Sequence, residues 1–332
     1  MENLKQDLLQ LIDPSLMVTL EKSGGLSHLG YDEENDVVVM EILVDKSIPE
    51  TEKLRKEIIK LVKIKYGHKG IKLTINEKKV RTSIANTNIP VIGIISGKGG
   101  VGKSSVASNI AYRFMKKGYQ TALIDADIYG SSIPDLLGME PTPVTGTEDE
   151  QIIPLKYEQM EVMSTDFFTE HHEPVIWRAG MLHSMLEYFF NQTAWDPHTK
   201  VIVVDFPPGT GDIMLDFRTF CKDPAMLLVT TPHPAAATVA IKAGIAAKKM
   251  NQHIVGIIEN MSFFEDEALN KHYVFGKDGG LTASSTLMTP LLAQIPLAVP
   301  KAHPCLFDIS EPVGKIYNDI VDYLIFTLDI KK

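Results

Sequence analysis

Cysteine is nearly missing: two residues, Cys221 and Cys305, in a chain of 332. Two are too few for a disulfide framework. They stand far apart, in RTFCKDP and HPCLF, at no ligand spacing, and read as ordinary buried or partly buried thiols. No run of 18 apolar residues occurs, and the N-terminus has no apolar h-region. A membrane-spanning helix and a signal peptide are therefore not expected, and the expected location is the cytoplasm. Positive charge is also short: 33 Lys and Arg against 42 Asp and Glu leave a net charge of −9. That balance gives no global support for binding nucleic acid or a membrane surface, though it leaves a local basic patch open. There is no internal repeat and no low-complexity tract. His171 and His172 are adjacent but have no cysteine or carboxylate at metal spacing, so a loop reading is preferred over a metal site.

What is present is more specific. Hydrophobic residues make up 44% of the chain, enough for a large domain plus a smaller one. Residues 91–105 read VIGIISGKGGVGKSS, and Gly97, Gly102, Lys103 and Ser104 satisfy G-x-x-x-x-G-K-[ST] without a mismatch. The loop lies between a run of strand composition and a run of helix composition, where backbone N–H groups and a helix dipole can hold phosphates. Gly97, Gly99, Gly100 and Gly102 let the backbone, with Val101, wrap an anion. Lys103 is expected to reach the β- and γ-phosphates, and Ser104 to bind Mg²⁺, with Ser105 following in the same cradle. Lys98, a second lysine in GKGGVGK, is not needed for that cradle. It reads either as a solvated loop lysine or as a cation reaching a γ-phosphate.

Residues 1–78 read as a small separate α+β unit. MENLKQDLLQLI puts Leu4, Leu8, Leu11 and Ile12 on one helical face. DVVVMEILV (36–44) reads as a buried strand. TEKLRKEIIKLVKIKYG reads as a second amphipathic helix using Leu54, Ile58, Leu61 and Val62, with Gly67 as its stop. IKLTIN, with Ile71, Leu73 and Ile75 alternating, reads as a half-buried strand. The polar stretch 79–90 reads as a linker ending in proline. Over 91–332, the continuous apolar runs VIGII, TALIDAD, VIVVDF, AMLLVTT and HIVGIIEN alternate with helical segments. Such runs suit parallel strands covered on both faces. The expected fold is α/β, a doubly wound, mostly parallel sheet with ligand at the carboxyl ends of its strands.

Two of those runs end in acids. Asp125 and Asp127 follow one, and Asp205 closes another before PPGTGD. An apolar strand ending in Asp is the pattern of a Mg²⁺-binding acid behind a phosphate loop, although strand-end Asp residues also cap helices. Gly209 and Gly211 would let the following loop move when a γ-phosphate leaves.

GKGGVGK resembles the deviant Walker A ATPases of the MinD/ParA/ArsA class. That resemblance implies that Lys98 contacts the nucleotide of a partner subunit in a dimer. DADIYGSSIP resembles switch I of the same class. By that resemblance Asp127 positions or activates the attacking water and Asp125 supports the metal shell; otherwise Asp127 is a turn former before Gly130. IIENMS resembles the segment carrying a base-contacting Asn, here Asn260, whose amide offers adenine both a donor and an acceptor. No N-K-x-D guanine signature occurs, which favours ATP over GTP. GKGGVGKSS, DADIYGSSIP, VVDFPPGTGD, TTPHP and IENMS, in that order, together resemble the Mrp/NBP35 (ApbC-type) iron–sulfur cluster carriers over about residues 90–325. The first 78 residues resemble the MIP18-like domain that often precedes them.

Three departures accompany the match. The family's C-x-x-C after N-M-S is replaced by NMSFFEDEALNKHYVFGKDGG, in which Glu265, Asp266 and Glu267 stand in place of thiolates. Carboxylates are poor iron–sulfur ligands. The loop DKSIPETEK lacks the cysteine usual in the small domain. Val239 stands where an Asp is common after T-T-P-Q, here TTPHP. The resulting expectation is a Mg²⁺-dependent ATPase of the carrier type, dimeric with ATP, whose iron–sulfur cluster is doubtful. A cluster-recipient or regulatory protein is the expected partner. The alternative is a cysteine-independent, ATP-switched regulator that binds DNA or a protein.

Overall fold

The computed structural model describes residues 1–332 except 15–17, 24, 34, 45–49, 78–86, 129, 141, 148–150, 169–178, 210–216, 218–219 and 222–223. The chain divides into two compact units, Met1–Arg81 and Thr82–Lys332. Residues 79–86 of the expected linker, His171 and His172, Gly211, and 45–49 of the DKSIPETEK loop lie outside the described residues.

In the first unit, helix α1 (Glu2–Leu9) and helix α2 (Thr51–Lys60) pack on a three-stranded sheet of β1 (Leu26–Asp32), β2 (Val37–Val44) and β3 (Gly70–Glu77). Strand β2 is central, antiparallel to β1 and parallel to β3. Leu4, Leu8, Val38, Met40, Ile42, Val44, Leu54 and Ile58 form its core. Two expectations change. Strand β2 alternates buried and half-buried residues instead of being buried throughout, because a core forms on only one of its faces. Ile12 leaves the helical face, being 48% exposed, since α1 stops at Leu9 and Ile12–Asp13 pairs with Val18–Thr19.

The second unit is built on five wholly buried strands: β4 (Val91–Ser96), β5 (Thr121–Asp125), β7 (Met160–Ser164), β8 (Val201–Asp205) and β9 (Ala225–Thr230). With β6 (Leu155–Tyr157), β10 (His253–Glu259) and β11 (Leu291–Gln294), they form an eight-stranded sheet in the order β6-β7-β5-β8-β4-β9-β10-β11. Every neighbouring pair is parallel except β6–β7. Alternation along β4 feeds two cores. Ile92 and Ile94 join Val106, Ile110 and Phe114 of helix α3 (Lys103–Lys116) on one face, while Val91 and Ile95 face the other core. That second core takes in Ala240, Ala243 and Ala247 of α4 (Pro234–Lys249) and Ala283 and Leu287 of α5 (Gly279–Leu287). Helix α6 (Pro312–Thr327) covers the first face beside α3. This is the doubly wound arrangement, and it explains why the strands read as unbroken apolar runs.

The register decides the site. Asp205 of β8 pairs with Asp125 of β5, and Asp125 pairs in turn with Ser164 of β7. On the other side Ser96 pairs with Val229, and Thr230 with Glu259. The carboxyl ends of these six strands therefore line one edge of the sheet, and the chain leaves β4 there into the glycine-rich loop. An open α/β sheet takes its ligand at this edge.

Candidate active site

Gly97–Gly102 connects β4 to α3, with Gly100 at φ +77° and Gly102 at φ +79°, the left-handed region that glycine enters freely. Gly97 is required for a different reason. A Cβ there would lie 2.4 Å from the backbone carbon of Val239, so α4 abuts the loop at the position where the family commonly has an Asp. The Ser96 hydroxyl donates to the Lys98 carbonyl (3.0 Å), and Gly209 N–H donates to the Ser96 carbonyl (2.8 Å), tying the PPG turn to the loop's first residue. Gly99, Gly100 and the Lys98 side are exposed, whereas Val101 is buried.

Lys103, the first residue of α3, points inward and is 6% exposed. Its Nζ lies 2.5 Å from Asp205 Oδ1 and 3.5 Å from Asp127 Oδ2. Asp205 is fully buried, and its Oδ2 has no hydrogen-bond partner among the described residues. Burial pushes the Asp205 carboxyl above the usual range, opposed chiefly by the Lys103 ammonium. One buried cation thus neutralises acids from two different strand ends. Ser104, half-buried, follows it in the first turn of α3.

Asp125 is arranged differently. Its Oδ2 accepts from the Ser131 hydroxyl (2.9 Å), Ser132 N–H (3.0 Å) and Ile133 N–H (3.1 Å), and its Oδ1 accepts from Asp127 N–H (3.2 Å). The Ser131 and Ser164 hydroxyls are 2.6 Å apart. Burial, and then the charge of Asp205, push the Asp125 carboxyl up, against the N–H of Ile133, the Ser131 hydroxyl and the N–H of Ser132. Asp125 holds the segment that presents Asp127. Sequence reasoning missed Ser131 and Ser164; the only trace Ser131 leaves is the short polar pair in GSSIP, and Ser164, at the end of β7, leaves none.

Asn260 sits at the end of β10, 8% exposed, and its Nδ2 donates to the Val101 carbonyl at 2.9 Å. Beside it opens a cavity of about 230 Å³, lined by Gly102, Ser105, Asn260, Leu297, Cys305 and Phe307 among others. The wall at 305–307 is anchored to α3 through Asn109, whose Nδ2 donates to the Cys305 carbonyl (3.0 Å) and whose Oδ1 accepts from Phe307 N–H (2.9 Å). This wall was not anticipated from the sequence; its only local mark is the proline-broken apolar stretch AQIPLAVP (293–300). Cys221 packs instead beside the core on the opposite face of the sheet. Among the described residues, no group of three or more His, Cys, Asp or Glu is placed to hold a metal ion, and no helix is long and apolar enough to cross a membrane.

A glycine loop at the carboxyl edge of a parallel sheet, a buried lysine opening the next helix and an acid closing a neighbouring strand define a P-loop NTPase. The comparisons agree. The family model described as ParA, NUBPL iron-transfer P-loop NTPase, matches residues 88–313, and the chain belongs to that family. It is 42% identical over 250 residues to the iron-sulfur cluster carrier protein of Bacillus subtilis, covering 74% of this chain and 70% of that one. It is 33% identical over 349 residues to the protein of the same name in Mycobacterium leprae, covering 96% and 90%. Among solved structures, the nucleotide-binding protein of Archaeoglobus fulgidus in complex with ADP is similar at TM-score 0.54 and 27% identity, over 70% of this chain and 88% of that one. The cell division ATPase MinD of Pyrococcus furiosus (TM-score 0.50, 19% identity, 72% and 99% covered) shares the fold. The chain is an ATPase of the Mrp/NBP35 type.

Replacing Lys103 with Ala is expected to weaken ATP and ADP binding more than tenfold, over about 1.4 kcal/mol. Calorimetric titration checks this, with circular dichroism to confirm that the variant is folded. Unchanged affinity would remove the loop from the binding site.

Proposed function

We propose that ATP binds along the Gly97–Ser105 loop and that its phosphates draw Lys103 off Asp205. The observation that carries this reading is the buried Lys103 between Asp205 and Asp127, with one Asp205 oxygen unpartnered. A buried, unsatisfied carboxylate oxygen beside a hydroxyl is a donor set that suits Mg²⁺. Asp205 and Ser104 would hold the ion, which supplies charge neutralisation at the phosphate oxygens. Asp125, with its oxygens engaged by the 127–133 backbone and Ser131, acts by holding Asp127 in place. Asp127, closer to solvent than Asp205 and within 3.5 Å of Lys103, orients the attacking water. The base occupies the cavity beside Asn260.

Asp127→Ala should slow hydrolysis by tenfold or more while ATP still binds, and Asp205→Ala should in addition weaken the dependence on magnesium. Steady-state phosphate release at several magnesium concentrations, run beside ATP binding, measures both. Two variants turning over at the wild-type rate would reassign the switch acids.

Lys98 is exposed and makes no use of its ammonium within the loop, so its charge is available to a second copy's γ-phosphate. A non-hydrolysable ATP analogue should drive dimers that ADP releases, and Lys98→Ala should abolish this with little change in monomer affinity. Light scattering with each nucleotide decides it. A wild type that stays monomeric with the analogue makes Lys98 a solvated loop residue.

Relatives named as cluster carriers support the carrier type over a DNA-binding regulator. The first unit is proposed to be a MIP18-like domain. The dithiol does not carry over. Where the family has C-x-x-C, this chain forms the exposed hairpin Phe264–Glu265/Lys271–His272. Any iron–sulfur cargo is therefore held by groups other than a paired thiolate of this segment. Anaerobic reconstitution with iron and sulfide should give the same spectrum for the wild type and for a Cys221→Ala/Cys305→Ala variant. A thiolate charge-transfer band lost in the variant would instead place the cargo on Cys221 or Cys305.

A further inference from the structure

Asn260 is tied directly to the phosphate loop. Its Nδ2 donates to the Val101 carbonyl, and the loop has been shaped to admit it: a Cβ at Gly102 would lie 2.2 Å from that same nitrogen. Its own backbone is fixed, since Asn260 N–H donates to the Thr230 carbonyl at 2.8 Å. The preceding Glu259, fully buried, is held by the Ser262 hydroxyl (2.5 Å), the Gln294 amide (2.8 Å) and Gly280 N–H (2.6 Å). Asn260 is therefore a rigid donor on the end of β10, 159 residues along the chain from the carbonyl it holds.

The consequence follows from peptide planarity. The carbonyl of Val101 and the N–H of Gly102 belong to one trans peptide and point in opposite directions. Holding the carbonyl toward Asn260 turns the Gly102 N–H away from it. Without the bond, a glycine on the C-terminal side of that peptide lets the plane rotate at little cost, and a flipped peptide would present a carbonyl oxygen where a phosphate needs a donor. We propose that Asn260 is a positioning residue that locks the Val101–Gly102 peptide with its N–H toward the phosphates, so that its contribution to affinity is read on the phosphates and not on the base. This rests on the reading of the loop as the phosphate site.

The test compares ADP with inorganic pyrophosphate, which has no base, by calorimetry or by competition against a fluorescent ADP. The proteins are the full-length wild type, Asn260→Ala, Asn260→Asp and Lys103→Ala. Both Asn260 variants should lose about tenfold for ADP and for pyrophosphate alike, the scale of one buried carbonyl left without its donor. The melting temperature should stay within a few degrees of the wild type. Asp fills the same volume but, ionised, cannot donate, so it would restore a packing role and does not restore a latch. If ADP weakens and pyrophosphate does not, Asn260 reads the base and the proposal fails. If Asn260→Asp binds both ligands like the wild type, the side chain only fills space and the proposal fails. If Asn260→Ala does not fold, the Asp variant alone decides. A wild type that binds neither ligand, or a Lys103→Ala protein that binds both normally, refutes the phosphate site itself and is distinguished from failure of the latch by those two controls.

Discussion

The Lys103 ammonium, buried between Asp205 and Asp127, is the interaction on which the rest of the site depends. Two carboxylates and one ammonium are removed from water together, and burial of any one alone would be prohibitive. Breaking such a pair by removing one partner costs about 3–5 kcal/mol, far more than an exposed pair is worth. The arrangement keeps the loop lysine desolvated and aligned by two acids at the strand ends. On the proposed reading, a nucleotide and an ion would take over the two halves of this pair together, which would give them a physical reason to bind as a unit.

That cluster exists because of the sheet. Asp205 and Asp125 are register partners at the ends of adjacent parallel strands, and β4 ends beside them. Level strand ends bring acids from distant parts of the sequence into line with the loop. The two acids then diverge. Asp205 keeps an oxygen unpartnered, whereas Asp125 is surrounded by the donors of the turn that follows it. The two carboxylates therefore differ in their free bonding capacity, although both residues close an apolar run in the sequence.

The segment after Asn260 shows the same chain departing from its relatives without losing order. Asp266 accepts N–H groups from Ala268 (3.0 Å) and Asn270 (2.8 Å) and lies 2.8 Å from the His272 ring, which holds its carboxyl down to about 2. The three acids read from the sequence as replacements for thiolates are thus not equivalent: Asp266 organises the hairpin, and Glu265 and Glu267 are exposed.

The glycine loop was legible in the sequence because its chemistry is local. Consecutive residues supply the left-handed turns, the N–H groups, the lysine and the hydroxyl, and the apolar runs around them fix a covered parallel sheet. Five of the eight strands of the second unit's large sheet, β4, β5, β8, β9 and β10, were legible for the same reason, as was the family, from motifs in a fixed order. The half-buried character of β2 and the early end of α1 were not, since one-sided covering is a property of packing. Nor was the division of labour between Asp125 and Asp205, the cavity wall anchored by Asn109, or the Asn260 bond to Val101. The last two join groups 159 to 198 residues apart. Sequence spacing carries no distance over such a span; strand register and helix docking set it, and so only the tertiary structure could decide which polar atoms meet.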